Sequence, residues 1–307
     1  MLMHDHLHPD GREATSEPSV RTYDPSGWTT EAVVEAKAGR SITLCFPCRD
    51  EVATIGALVT SARRHLVEST GLVDDLLVLD DRSVDGTGLA ASEAGARVVQ
   101  VEELHAKYGS GCGKGNVLWG SLLVSSGDIV VWCDGDLTSF APHWVERLVM
   151  PLLLEDDVAL VKASYERPTH LGGGGRTTEL VARPLLSLFA PGLAGLDQPL
   201  SGEFAGRRDA LEAVPFVEGW GVEIALLVDI ADRFGLDSIA QVDLGIRHHR
   251  HRSLESLSVQ AAEVMATFLA RVGRGCALET TTLRHADGSV VPLNLAERPP
   301  VRELRGA

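Results

Sequence analysis

The feature that most narrows the fold is a recurrence in the first half of the chain. Short apolar runs alternate with helical patterns, and several of the runs stop on carboxylates. Residues 42–46 (ITLCF) read as a buried strand, followed by a helical pattern through Ile55, Leu58, Val59, Ala62 and Leu66. LLVLDD (76–81) is a second strand ending on Asp80 and Asp81, and residues 83–85 are placed to cap a helix that runs to about Ala94. ARVVQ (96–100) is a third. The glycine-rich GSGCGKGN (109–116) leads into a helical pattern from Val117 to Val124. GDIVVWCDGD (127–136) is a fourth strand ending on two more carboxylates, Pro142 starts a helix, and VALVKAS (158–164) is a fifth strand. Strands alternating with helices build parallel βαβ units. The expected fold class is therefore α/β: a doubly wound, mostly parallel sheet with helices on both faces. Ligands of such sheets bind beyond the carboxyl ends of the strands. Residues 47–51, 80–83 and 134–136 all fall there.

The second half opens with the loop HLGGGGRTTEL (170–180), which runs into a helix at about Thr177. GWGVEIALLVDIADRFG (219–235) is a long apolar helix, SIAQVDLGIRHHRHR (238–252) a strand followed by a basic, histidine-rich segment, and residues 253–273 another long helix. From about Ala277 the periodicity is weak. There is no internal repeat and no clear linker, which favours one compact unit with a C-terminal subdomain.

Charge and cysteine usage remove several function classes. The formal net charge of −15 over 307 residues argues against a nucleic-acid partner, although a local basic patch is expected near Arg247. No apolar run is long enough to span a membrane, and the polar N-terminus, with His4, His6 and His8, has no signal core. Five scattered cysteines read as reduced thiols, so a cytoplasmic enzyme is expected. Cys45 and Cys48 have Cys-x-x-Cys spacing, yet Cys45 lies inside a strand, whereas a redox pair starts a helix and a zinc site needs two more N/S ligands. Cys45 reads as a small buried hydrophobe and Cys48 as a wall of the crevice.

The acidic pair in WCDGDL carries more chemistry. Alternation lets Asp134 and Asp136 face the same side. Hard oxygen ligands at a sheet end suit Mg²⁺ or Mn²⁺, which then holds a diphosphate, and Gly135 admits a ligand close to the backbone. Lys114, in its glycine-rich loop, adds positive charge; the loop is no P-loop, because the spacing and the following Ser/Thr are missing. Two enzyme classes use such a pair. DGDLT resembles the first motif of haloacid-dehalogenase-type phosphatases, but that fold opens with this strand, and here Glu155-Asp156-Asp157 precedes its strand instead of following it. The other class is the Asp-x-Asp of GT-A glycosyltransferases, in which the metal neutralises a nucleotide diphosphate leaving group.

From about Gly27 to Pro300 the sequence resembles the glucosyl-3-phosphoglycerate synthase family of retaining GT-A enzymes. The matching stretches include GWTTEAVVEAKAGR, GKGNVLWGSL, SGDIVVWCDGDL, GGGGRTTELVARPLL, QPLSGEFAGRR, GWGVEIALLVD and IAQVDLG. The resemblance implies a GT-A fold with 1–26 loosely ordered, 27–164 forming the nucleotide-sugar half and 165–307 an acceptor-binding and C-terminal half. It implies donor contacts at Pro47, Cys48, Arg49, Glu51, Asp81, Lys114, Asp134, Gly135 and Asp136, and metal ligation by Asp136 and His249. Gly175, Arg176, Thr178 and His251 would hold a small carboxylated or phosphorylated acceptor. Glu223 would meet the donor sugar, with the Leu200 carbonyl beside the reacting centre. Mg²⁺ or Mn²⁺ as cofactor and a homodimer follow from the same resemblance.

The departures cluster around ligands. The family usually has Pro-Ala-Leu-Asn/Asp-Glu-Glu where this chain has Pro47-Cys48-Arg49-Asp50-Glu51-Val52, and Asp-Ser-Gly-Ser where it has Asp80-Asp81-Arg82-Ser83. Pro-Gly-Lys-Gly-Glu becomes 112–116 (CGKGN), and His-Arg-Asn becomes His249-Arg250-His251. Asp81 has the chemistry to accept the N1–H and amino group of guanine. The expectation drawn from this drift is a relative recruited to specialised (antibiotic) metabolism, moving a sugar from a GDP- or UDP-sugar to a small acceptor, like the lincosamide-pathway enzyme that glycosylates ergothioneine. The alternative is plain glucosyl transfer from UDP-glucose to 3-phosphoglycerate.

Overall fold

The alternating pattern builds one mixed sheet. The computed structural model describes residues 20–166, 175–247, 254–273 and 281–305. Its strands are β1 (Arg21–Tyr23), β2 (Ile42–Cys48), β3 (Asp75–Asp80), β4 (Arg97–Gln100), β5 (Ile129–Trp132), β6 (Leu160–Glu166), β7 (Phe204–Arg207), β8 (Phe216–Val217) and β9 (Ile239–Ile246). The main sheet runs β1-β9-β6-β7-β5-β2-β3-β4. Every pairing in it is parallel except the two made by β7, which runs antiparallel between β5 and β6.

Alternate residues of the central strands feed two separate cores, which is why these strands read as unbroken apolar runs. Leu44, Phe46, Val78 and Val131 point to one face, covered by α1 (Thr30–Lys37), α2 (Val52–Ala62), α3 (Thr87–Glu93) and α6 (His143–Leu154). Cys45, Leu77, Leu79, Val130 and Trp132 point to the other, covered by α5 (Lys114–Val124), α7 (Arg183–Phe189), α9 (Val222–Phe234) and α10 (Leu254–Arg271). Two short helices, α4 (Val101–Tyr108) and α8 (Arg208–Leu211), follow β4 and β7. No helix among the described residues is long and apolar enough to cross a membrane.

Three features depart from the expectations. Residues 21–23, assigned above to a loose N-terminal segment, form the edge strand β1 and pair with residues 240–242 of β9. The sheet also crosses the proposed boundary at 164, because β6 pairs only with β7 and β9, both from the second half. Thirdly, the weakly periodic tail is structured. A hairpin, β10 (Thr282–Arg284) with β11 (Val290–Pro292), leads to β12 (Glu297–Arg298), which pairs antiparallel with β8.

Candidate active site

The cleft lies beyond the carboxyl ends of β2, β3 and β5. It encloses about 480 Å³, within the size range of small-molecule sites, and its walls include Pro47, Cys48, Arg49, Glu51, Asp81, Lys114, Asp134, Gly135 and Asp136. Every donor-site residue expected from the sequence therefore lines one cavity. Trp220, Glu263 and Asn294 are among its remaining walls, and the sequence reading named none of them.

Two loops build one part of the cleft wall. The loop after β2 turns at Asp50 (φ +57°) and the loop after β3 at Arg82 (φ +60°). They are laced together: Asp50 N–H donates to Ser83 Oγ (2.9 Å), Val84 N–H to Asp50 Oδ1 (2.9 Å) and Val52 N–H to Asp85 Oδ2 (3.0 Å). This lacing delays α3 to Thr87, with Gly86 as its N-cap, one to three residues later than the cap expected at 83–85. Asp80 and Asp81 divide the work. Asp80 accepts from Ser83 N–H and Gln100 Nε2 and so braces the turn. Asp81, 3% exposed, faces the cleft with Arg82 Nε at 2.9 Å and Arg49 at 3.7 Å.

Around Lys114 the charges are buried and paired. Lys114, the first residue of α5, donates to Asp134 Oδ1 (2.8 Å) and to Glu223 Oε1 (2.7 Å) in the first turn of α9. Burial pulls the Lys114 ammonium down, but Asp134 and Glu223 outweigh it and hold the amine protonated. Asp134 also meets Arg247 Nη2 at 3.2 Å, and Arg247 pairs with Glu203 at 2.9 Å. Glu203 is fully buried, and burial pushes its carboxyl upward despite the guanidinium. Arg247 is thus no surface patch: it is 7% exposed and spans two carboxylates beneath the cleft. Gly202 packs so closely on Asp134 that a Cβ would lie 2.3 Å from both carboxylate oxygens.

Asp136 differs from Asp134. It lines the cleft, is half-buried, and takes no hydrogen bond from any described residue. A carboxylate with no hydrogen bond from the described residues, beside a cation-neutralised neighbour, is a fitting hard-oxygen ligand for Mg²⁺ or Mn²⁺. His249 and His251, the other expected metal and acceptor residues, lie outside the described residues, as do His4, His6 and His8. Of the remaining acceptor residues, Gly175 sits at φ +79° and its carbonyl accepts from Glu179 N–H (2.8 Å). Arg176 is half-buried, whereas Thr178 is 3% exposed, so its contribution to a ligand would come through backbone. Leu200 lies in the turn before β7, half-buried against the second core.

The competing chemistries lose their footing here. Asp134, the nucleophile of a phosphatase reading, is held by two cations. The later acidic cluster sits before β6, at the end of the sheet away from the cleft, where Asp156 and Asp157 pair with Arg40 and Arg21. Burial pushes the Cys45 thiol up to about 12 and Cys48 well above its ordinary value, which disfavours both thiolates.

The tail closes the site from behind. Arg298 donates to Asn116 Oδ1 (2.8 Å), Tyr108 O (3.0 Å) and Gly109 O (3.1 Å), pairs with Glu218 (2.9 Å) and stacks over Trp119. Asn294 donates to the Cys112 carbonyl (2.9 Å), and Glu263 accepts from Asn294 N–H and Trp220 N–H. These contacts fix the glycine loop that presents Lys114.

The arrangement offers a cleft with a half-buried carboxylate at Asp136, a locked ammonium and a buried ionic floor. Comparison with known proteins agrees. Residues 43–213 match the model of the glycosyl transferase family 2. The chain is 46% identical to the glucosyl-3-phosphoglycerate synthase of Mycolicibacterium paratuberculosis, covering 96% of this chain and 94% of that protein. A crystal structure of the Mycobacterium tuberculosis synthase with Mn²⁺, UDP-glucose and phosphoglyceric acid superposes with a TM-score of 0.87 at 44% identity, covering 94% of this chain and 99% of that one. The same synthase with Mg²⁺ and UDP gives 0.85 at 44% identity, covering 93% and 99%.

Proposed function

The chain belongs to the glucosyl-3-phosphoglycerate synthase family of the family 2 glycosyl transferases, and from that premise we propose that it moves glucose from UDP-glucose to the hydroxyl of 3-phosphoglycerate. It is a retaining glycosyltransferase of GT-A fold. The observation that carries the substrate reading is the close match to a relative holding UDP-glucose and phosphoglyceric acid together, joined to the Lys114–Asp134–Glu223 constellation at this chain's cleft.

In this reading Lys114, kept protonated by Asp134 and Glu223, lies against the charge that grows on the departing diphosphate. Asp136, with His249, would hold Mn²⁺ or Mg²⁺, which when bound supplies Lewis-acid neutralisation of the leaving UDP. Glu223, buried and engaged by Lys114, orients the sugar, and no side chain attacks it. The acceptor hydroxyl enters on the face from which UDP leaves. Arg176 and the backbone around Gly175 receive the acceptor's anionic groups. The homodimer and cytoplasmic residence expected from the family belong to the same proposal.

The preference for a recruited GDP-sugar enzyme acting on ergothioneine, drawn from the drift in the sequence, finds no support in these comparisons, which favour the plain synthase. One observation still speaks for guanine: the Asp81 carboxylate, buried between Arg49 and Arg82 at the base end of the cleft. Calorimetric titration with UDP and with GDP, each with Mn²⁺, separates the two. Binding of UDP that depends on metal and disappears in Asp136→Ala is expected, with glucose transfer to 3-phosphoglycerate. A preference for GDP would overturn the UDP-glucose assignment.

A further inference from the structure

Lys162 is a lysine in the middle of a buried strand. It is 1% exposed on β6, its ammonium donates to the Ser201 carbonyl at 2.7 Å, and it sits 4.4 Å from the centre of the Phe204 ring. Among the described residues no carboxylate lies within ion-pairing distance of it. Burial pulls its amine down to about 8, with Glu223, Glu203 and Asp134 opposing the fall and Lys114 adding to it. Those four groups are the ionic floor of the cleft. A buried amine with no direct ionic partner is costly to keep, and nothing in the transfer step described above uses it.

The contacts lead from Lys162 to the site. Its carbonyl partner, Ser201, is joined to Gly202, and Gly202 lies against the Asp134 carboxylate with no room for a Cβ. The turn is tied on its other sides by Ser201 N–H to Gln198 O (3.0 Å) and Ser201 Oγ–H to Glu203 O (3.1 Å). Asp134 in turn holds Lys114. Lys162 also completes the charge count beneath the cleft: Lys114, Lys162 and Arg247 face Asp134, Glu203 and Glu223.

We propose that Lys162 is a positioning residue for the transfer: by gripping the Ser201 carbonyl it presses the 200–202 turn against Asp134 and so sets where the Asp134–Lys114 pair stands relative to the leaving group. The inference rests on the reading of the chain as a UDP-glucose-dependent transferase. Lys162 touches neither donor nor acceptor, so its effect belongs in kcat and in the fate of the glucosyl group, not in ground-state binding.

The test is Lys162→Met, which keeps the bulk over Phe204 and removes the donor, with Gly202→Ala as a second variant that displaces the same turn from the Asp134 side. For each, UDP release and glucosyl-3-phosphoglycerate formation are measured in parallel, together with UDP affinity. A misplacement of this kind costs up to about 100-fold in kcat. The expected result is a fall of that order with UDP affinity within about three-fold of wild type. A larger share of UDP release should also be uncoupled from transfer, as water takes the place of the acceptor hydroxyl and free glucose is formed. A merely structural role would lower the melting temperature and leave kcat and the coupling ratio of the folded fraction unchanged; that result overturns the proposal. If Lys162→Met does not fold, unchanged kcat and coupling in Gly202→Ala overturn it as well. A wild-type protein that transfers no glucose from UDP-glucose overturns the functional reading and this inference with it, whereas an active wild type with unaltered variants overturns this inference alone.

Discussion

Arg298→Met offers the sharpest check on how the site is held. The side chain is 7% exposed, and its guanidinium makes one ion pair and three further hydrogen bonds, all to residues around the glycine loop. Methionine keeps the volume over Trp119 but strands Glu218, itself buried, and three acceptors. Removing one partner of a buried ion pair costs about 3–5 kcal/mol. The backbone carbonyls of Tyr108 and Gly109 can recover water at the loop surface, so we place the loss near 4 kcal/mol, out of a total stability of about 5–15 kcal/mol. Urea unfolding reads it as a lower midpoint at an unchanged slope. Glu218→Gln added to Arg298→Met should restore about 1–2 kcal/mol, because the amide is cheaper to leave buried than the carboxylate. A loss below about 1 kcal/mol for the single variant, or no recovery in the double, would refute the view that Arg298 is the ionic anchor of the loop.

Two other predictions follow from close contacts and burial. Gly115→Ala would put a Cβ 1.7 Å from the Val217 carbonyl, so α5 must move off β8; a loss of about 1–3 kcal/mol in urea unfolding is expected, with at least a ten-fold fall in activity because Lys114 is the preceding residue. Asp229 is pushed up to about 6 by burial, against the pull of Arg271, so its folded-state value exceeds its ordinary one and the folded protein binds the extra proton. Stability should therefore fall as pH rises from about 4 to 6, and Asp229→Asn should remove a contribution on the order of 2 kcal/mol to that slope, read from urea midpoints across the window.

The parallel sheet and the crevice at its carboxyl ends were legible because they leave local marks: apolar runs of strand length, helical spacing between them, and carboxylates where the runs stop. What escaped depends on partners far along the chain. β7 is four residues, FAGR, and nothing in them states that they run antiparallel between β5 and β6. Arg298 reaches residues about 180 positions away, so its tail shows no periodicity of its own. Arg247 read as part of a local basic patch, since sequence alone does not reveal that it and Glu203 neutralise each other. Lys162 did carry a signal. A charged residue inside VALVKAS, a strand apolar on both faces, has no solvent to point to, a signal that the reading of the sequence passed over.

The single reversed strand has a consequence for how the chain is made. On the ribosome, β2 to β5 emerge in order and can pair among themselves, but β6 then waits. Its neighbours are β7 and β9, roughly 40 and 75 residues further on, and β5 meanwhile exposes a bare edge that only Phe204–Arg207 can cover. The nascent protein thus carries an open, sticky sheet margin until the second half has been synthesised. A chain truncated anywhere between the two halves is expected to aggregate rather than to yield a working nucleotide-binding fragment.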